Sequence, residues 1–147
     1  LVSNLVKNTM GMSKKEADKY ARDWSDVQSE DYPYAINSNG NIKYGKVKWK
    51  NYGQWKMMIP IMTSPFKYEI MVSDVVICDQ SCNVQFFDNK EDALRLKEIL
   101  DDPLYKWVLE QTRVSSRMCA AILCRFPNVP ITKVLTSDQL SYIDSQL

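Results

Sequence analysis

The stretch that decides the fold is Tyr34-Ala35-Ile36-Asn37-Ser38-Asn39-Gly40-Asn41-Ile42-Lys43-Tyr44, which carries an Asn-Gly pair between two short runs of strand-forming residues. Asparagine and glycine adopt the positive φ angles that hairpin turns require, and tyrosine and isoleucine are enriched in strands. The pattern predicts a β-hairpin. We expect it to open a sheet that covers about residues 34–87.

Further strands are predicted downstream of the hairpin. Lysines alternate with apolar residues from Lys46 to Lys50, which would place the lysines on one face of a strand and Val47 with Trp49 on the other. A turn is predicted at Ser64-Pro65. The other predicted strands, rich in apolar and β-branched residues, are Met57–Met62, Tyr68–Cys78 and Val84–Phe87.

Helices are predicted at the N-terminus and in the C-terminal half. A capping box at Ser13-Lys14-Lys15-Glu16 precedes an apolar stripe at helical spacing and predicts a helix over about residues 13–24. Asp88 or Asn89 is suited to cap a second helix, and Asp101-Asp102-Pro103 ends it and begins a third with Pro103 in the first position. The remaining predicted elements are a helical stretch at Met118–Leu123, an extended loop at Phe126–Pro130 and a short helix capped by Thr136 or Ser137.

Length and composition are typical of a globular chain. Its 147 residues are 45% hydrophobic and 25% charged, enough to bury one core without disulfides or metal. No segment approaches the roughly 20 apolar residues that a bilayer crossing needs, so we expect a cytoplasmic protein with no membrane partner. Because the sequence starts at Leu1, we also expect a fragment of a longer protein. The prediction is a single α+β domain over residues 1–147 with a small antiparallel or mixed sheet.

Cysteine and histidine usage limits the chemistry. The four cysteines, Cys78, Cys82, Cys119 and Cys124, match neither a zinc ribbon nor a secreted disulfide framework, and we predict reduced thiols. The chain has no histidine, which removes every mechanism that needs one from this chain. We expect no catalytic residue, no cofactor and no metal ligand in it.

Positive charge is concentrated in one window. Six lysines and no acidic residue lie between Tyr32 and Tyr68, which indicates either an anion-binding face or a solvated lysine-rich hairpin. The candidates for phosphate contacts are Lys43, Lys46, Lys48, Lys50 and Lys56. Three aromatic residues interleave with them and would either fill the core or stack on bases, namely Trp49, Tyr52 and Trp55.

A second candidate for DNA contact lies between two predicted helices. It consists of Arg113, Ser115, Ser116 and Arg117, where guanidinium groups would contact guanine edges or phosphates. Arg125 would either contribute or pair with Asp101 or Asp102. Gln111 is interpreted as a surface residue.

Short motifs over residues 32–130 occur in a characteristic order. They are Tyr32-Pro33-Tyr34, the Asn-Gly hairpin, the lysine-rich segment, Trp55-Lys56-Met57-Met58-Ile59-Pro60, Phe87 with Glu91-Asp92-Ala93, Pro103-Leu104-Tyr105-Lys106-Trp107-Val108-Leu109, and Arg125-Phe126-Pro127. This order resembles the C-terminal target-recognition domain (TRD) of adenine-specific DNA methyltransferases of restriction–modification systems. The resemblance implies a noncatalytic domain that binds double-stranded DNA and orients a methyltransferase, or a fused methyltransferase–endonuclease. It also implies that S-adenosylmethionine binds only to a catalytic domain, in the same or another chain.

The stretch Asp31-Tyr32-Pro33-Tyr34 differs by one residue from Asp-Pro-Pro-Tyr, a form of the tetrapeptide with which amino-methylating DNA methyltransferases hold a flipped base. That tetrapeptide needs a rigid proline pair so that two acceptors meet the target amino group. Tyr32 replaces the first proline, and the four glycines of the chain form no Gly-rich cofactor loop. We therefore interpret the stretch as a noncatalytic lead into a strand, in which Pro33 fixes the chain and the tyrosines pack.

Two functions from other classes stay open. An intact enzyme would have to use Asp74, Asp79 and Asp88, although carboxylates at strand ends more often form turns. A protein–protein interaction module without nucleic-acid binding would use its tryptophans and methionines, in particular Met57, Met58, Met62 and Met71.

Overall fold

The structure is a computed structural model that describes the backbone of residues 6–7 and all atoms of residues 23–61, 69–79, 81–112 and 129–147. Within this part the fold is α+β, as predicted, with strands first and helices later. The strands are β1 (Val6–Lys7), β2 (Tyr34–Ser38), β3 (Asn41–Gly45), β4 (Trp55–Pro60), β5 (Met71–Ser73), β6 (Ile77–Cys78) and β7 (Cys82–Phe87). The helices are α1 (Lys90–Leu100), α2 (Pro103–Thr112), α3 (Ser137–Asp144) and a 3-10 turn at Ile131–Lys133.

The predicted hairpin is confirmed. Strands β2 and β3 pair antiparallel, with Tyr34 opposite Gly45 and Ser38 opposite Asn41. The turn between them has φ values of 49° at Asn39 and 90° at Gly40, the left-handed conformation that this residue pair favours. Strand β6 runs parallel to β2 on its other edge and completes a three-stranded sheet in the order β3-β2-β6.

A second sheet has four strands in the order β1-β7-β4-β5. Its inner strand β4 is antiparallel to both β5 and β7, and it overlaps the strand predicted over Met57–Met62 but begins two residues earlier, at Trp55. Met57, Met58 and Ile59 have no exposed surface, because both faces of β4 are covered. The predicted strand near Val84 is confirmed as β7.

Two strand predictions are wrong in detail. Residues 46–50 form a bend and an irregular segment rather than a strand, although Trp49 points inward and Lys48 and Lys50 point outward. The run to Cys78 divides into β5 and β6, which belong to different sheets. The division follows from a local turn, since the Ser73 hydroxyl accepts hydrogen bonds from the backbone N–H groups of Val75 and Val76 at 3.2 and 3.1 Å.

The C-terminal helices begin where their capping residues predict. The Asn89 side chain accepts from the backbone N–H of Asp92 at 2.8 Å and caps α1. Pro103 is the first residue of α2. Thr136 and Gln139 form a reciprocal capping box at the start of α3.

Three apolar clusters hold these elements together. The largest lies between the four-stranded sheet and the helices, and it is built from Met57, Ile59, Ile70, Leu96, Leu100, Tyr105, Leu109 and Ile131. A second, under the hairpin, consists of Ile36, Trp49 and Ile77 with Trp24, Val47 and Tyr52 against it. A third joins the two sheets and contains Met58, Cys78, Cys82 and Val84 with Met71 and Val76 against it.

Several predicted segments lie outside the described residues. These are the Ser64-Pro65 turn, the Met118–Leu123 helix, residues 126–128 of the predicted loop, and residues 13–22 of the N-terminal helix. The last two positions of that predicted helix, Asp23 and Trp24, are not helical. None of the helices in the described part is long and apolar enough to cross a membrane.

Candidate nucleic-acid interface

The segment Lys46–Gln54, called the basic loop below, connects the hairpin to β4 and is anchored to the core by Trp49, with Val47 and Tyr52 packed beside it. Trp49 is 3% exposed and packs in the cluster of Ile36 and Ile77 under the hairpin. The loop closes through backbone hydrogen bonds from Tyr52 to Trp49 at 3.0 Å and from Gly53 to Asp74 at 2.7 Å. Because the loop is held to the core at its centre, its lysines project from a defined backbone.

Lys48 lies on an aromatic surface at the outer side of the basic loop. Its ammonium is 5.0 Å from the centre of the Tyr52 ring. Tyr52 in turn meets Tyr34 edge to face, with ring centres 5.4 Å apart. This chain of contacts orients a cation by ring attraction, which leaves the ammonium protons able to donate to an incoming anion.

Lys46 is already paired with a carboxylate. Its ammonium lies 2.9 Å from Asp23 Oδ2 and 4.8 Å from the centre of the Tyr32 ring. The Tyr32 hydroxyl donates to Asp23 Oδ1 at 2.6 Å. The hydrogen bond from Tyr32 and the one from Lys46 hold the pKa of Asp23 below its usual value, and the same carboxylate raises the pKa of Lys46.

The remaining exposed lysines differ in their neighbours. Lys43, on β3, lies 3.9 Å from Asp26, at the limit of an ion pair. Lys50 is exposed, and neither Lys48 nor Lys50 has a carboxylate partner among the described residues. Lys48 and Lys50 are therefore the lysines of this surface whose charge is least compensated.

The prediction that Lys56 contacts phosphate is wrong. Lys56 has no exposed surface, and its ammonium donates to the backbone carbonyls of Asp74 at 3.1 Å and Ser73 at 3.5 Å. Removal from water lowers its pKa from 10.5 to about 8, against the opposing attraction of Asp74. A lysine in this position cannot reach DNA, because its side chain is fully buried and its ammonium is held by two backbone carbonyls.

The three candidate aromatic residues separate into one core residue and two at the surface. Trp49 is buried, so the interpretation of it as a base-stacking side chain is wrong and the core interpretation holds. Tyr52 and Trp55 are half-buried. Lys90, at the start of α1, lies 5.6 Å from the centre of the Trp55 ring. No sequence pattern pointed to Lys90, because it follows β7 and lies outside the lysine-rich window.

The remaining sequence predictions concern the part of the chain from α2 onward. Arg113, Ser115, Ser116 and Arg117 lie outside the described residues, as does Arg125. Gln111 is exposed at the end of α2, in agreement with its interpretation as a surface residue. Asp101, the predicted partner of Arg125, pairs with Lys97 and with Lys106.

The residues named for the two alternative functions also have structural roles. Met57 and Met58 are fully buried, so they form no interaction surface. Asp79 accepts from the Ser38 hydroxyl at 2.8 Å and from the backbone N–H of Ser81 at 2.8 Å, which is a turn-forming role. In the part of the chain that the structure describes, no three Cys, Asp or Glu side chains are grouped as a metal site would require.

The fold and the surface were compared with known proteins. No protein-family model matches the chain, and neither a curated protein nor a solved structure matches it. The resemblance to a target-recognition domain therefore stays a prediction that rests on the order of the motifs and on the lysine surface.

Proposed function

We propose that this chain is a noncatalytic target-recognition domain that binds double-stranded DNA and orients an adenine-specific methyltransferase, or a fused methyltransferase–endonuclease, in the cytoplasm. The observation that carries the proposal is the anchored basic loop, which holds Lys48 and Lys50 outward with no carboxylate partner in the described part of the chain. S-adenosylmethionine would bind to a catalytic domain in the same or another chain. This chain would supply only DNA contacts.

Phosphate binding suits the way the basic loop is built. Lysines neutralise phosphates and release counterions, a contribution that does not depend on base sequence. The buried Trp49 side chain fixes the backbone before binding, so less ordering entropy opposes association. Tyr52 and Trp55 flank the lysines as half-buried rings, and their free edges or faces are available to a sugar or base.

The test is binding of the purified chain to duplex DNA over a series of salt concentrations. We expect retention on a heparin column that is lost at moderate salt, and selection of a preferred duplex from a random pool. Calorimetry with S-adenosylmethionine, Mg²⁺ and Zn²⁺ is expected to show no binding to this chain. Flow-through on heparin together with no selected duplex would overturn DNA binding, and micromolar binding of the methyl donor would overturn the noncatalytic assignment.

The second candidate function, a protein–protein interaction module, is favoured by a different surface. A groove of about 390 Å³ between α2 and α3 is lined by Trp107, Leu135, Tyr142 and Ile143. Tyr142 is 62% exposed and meets Trp107 edge to face at 6.5 Å. If this groove were the only functional surface, the chain would not be retained on a heparin column. Tyr142→Ala would then weaken its association with a partner chain.

A further inference from the structure

Two cysteine side chains share the junction between the two sheets. Cys78 ends β6 in the three-stranded sheet, and Cys82 begins β7 in the four-stranded sheet. Both have no exposed surface, and neither is in a disulfide. DNA binding by the basic loop uses neither of them, so this pair of nucleophilic groups needs its own explanation.

Asn37 brings the two thiols together. Its backbone is in register with Cys78 across the β2–β6 pair. The Cys82 thiol lies 3.3 Å from the Asn37 side-chain oxygen and 3.6 Å from its backbone carbonyl. Cys78 and Cys82 also belong to the same buried apolar cluster. The two side chains thus lie around the same residue, Asn37, on either side of a short turn, and the partners of a disulfide must be close in this way.

We propose that Cys78 and Cys82 form a redox site at which a peroxide converts the two thiols into an intramolecular disulfide. This proposal goes beyond DNA binding and does not depend on it. The disulfide would link the two sheets at their junction.

The two sulfur atoms have different roles in the reaction. The neighbouring Cys78 thiol lowers the pKa of Cys82, whereas Cys82 and burial raise the pKa of Cys78. Cys82 is therefore the thiolate that attacks, because the thiolate is the nucleophilic form of cysteine. Cys78 is the resolving thiol.

The steps balance with hydrogen peroxide as the oxidant. Cys82 sulfur attacks one peroxide oxygen, the O–O bond breaks, and the departing hydroxide takes up a proton to become water, leaving a sulfenic acid on Cys82. Cys78 sulfur then attacks the Cys82 sulfur and the S–O bond breaks. The Cys78 proton leaves with that oxygen as a second water. Two thiols have lost two electrons in total, and peroxide has gained them.

Access to the buried pair comes from the weakness of β6. This strand has two residues and pairs with a single neighbour, β2, at the edge of its sheet. Val75, just before it, is 50% exposed. Short edge elements open locally at small free-energy cost, so a molecule of the size of peroxide reaches the sulfur atoms without global unfolding.

The experiment uses the full chain with Cys119→Ser and Cys124→Ser, so that only Cys78 and Cys82 remain. The folded protein is treated with hydrogen peroxide, alkylated with N-ethylmaleimide and weighed by mass spectrometry. We expect a product that has lost two hydrogen atoms, carries no alkyl group and regains both thiols with dithiothreitol. Peptide mapping of the natural chain gives the same answer if the double variant folds poorly.

Single variants separate the two roles. Cys78→Ser is expected to leave a sulfenic acid on Cys82 that dimedone traps, and Cys82→Ser is expected to lower the rate of thiol loss at least about tenfold. Circular dichroism establishes that each variant is folded. The proposal is overturned if the peroxide-treated native chain still alkylates at both positions, or if the disulfide forms only in denaturant. It is also overturned if Cys78→Ser yields no dimedone adduct while the natural chain forms no Cys78–Cys82 peptide.

Discussion

The basic loop (Lys46–Gln54) and strand β4 (Trp55–Pro60) are adjacent in sequence, and both carry lysine next to apolar residues. The lysines are exposed in the loop and buried in the strand. In the loop, Trp49 is buried and Lys48 and Lys50 stay in water. In β4, Lys56 is as inaccessible as Met57 beside it. The loop makes no sheet pairing, whereas β4 pairs on both edges.

The difference in lysine exposure follows from how many faces of each segment pack against apolar side chains. The loop packs Trp49 against the core, and the lysines on either side of it are exposed. Strand β4 separates two apolar clusters, with Met57 in one and Met58 in the other, and a charged side chain on either face is enclosed. Lys56 is tolerated because two backbone carbonyls accept its protons. Counting lysines therefore overestimates the positive surface.

The largest expected effect comes from removing the anchor of the basic loop. Trp49→Ala should lower the free energy of unfolding by about 3–5 kcal/mol, because a large buried aromatic side chain leaves a cavity. Urea denaturation followed by circular dichroism measures it. Val27→Ala, at a position that is 71% exposed, is the control and should change stability by less than about 0.5 kcal/mol. Equal small effects of both substitutions would mean that Trp49 does not anchor the loop.

Lys56 provides the next effect, on the pH dependence of stability. Its folded pKa of about 8 lies below the ordinary 10.5, so the folded state releases the proton first and stability rises as the pH increases through that window. The free energy of unfolding gains about 3 kcal/mol from this group, and the gain is complete above pH 10.5 and absent below pH 8. Other groups titrate in the same range, so the measured quantity is the difference in unfolding free energy between the natural chain and Lys56→Met. A difference that stays constant with pH would contradict the burial of a titrating amine.

The exposed lysines, unlike Lys56, should affect DNA binding rather than stability. Replacing Lys48 and Lys50 by glutamine should leave stability nearly unchanged but weaken binding to every duplex about equally. It should also flatten the dependence of log affinity on log salt by roughly one unit per lost contact. The matched control is Arg95→Gln with Lys133→Gln, which removes two exposed charges elsewhere. If both double variants change the salt slope alike, only net charge matters and the loop is not the DNA-facing surface.

The sequence predicted those features that depend on neighbouring residues. The Asn39-Gly40 turn, the Asn89 cap, the Pro103 start of α2 and the Thr136 cap are all local hydrogen-bonding or φ requirements, and each is confirmed. Features set by distant contacts were not predicted. The same lysine–apolar pattern occurs in the loop and in β4, and only the clusters that pack on the two faces of β4 decide that Lys56 is enclosed. Likewise no pattern within the lysine-rich window indicated that Asp23 pairs with Lys46.

The smallest effect tests whether that pairing limits the lysine surface. Asp23→Asn keeps an acceptor for the Tyr32 hydroxyl but removes the negative charge 2.9 Å from the Lys46 ammonium. If Lys46 faces phosphate, the freed cation should raise duplex affinity about two- to fivefold at low salt and steepen the salt dependence. Asp144→Asn, exposed at the end of α3, is the control for the change in net charge. An affinity gain that Asp144→Asn reproduces would show that Asp23 acts only through net charge. A loss of affinity on Asp23→Asn would show that the Asp23–Lys46 pair holds the loop in its binding conformation rather than competing with DNA.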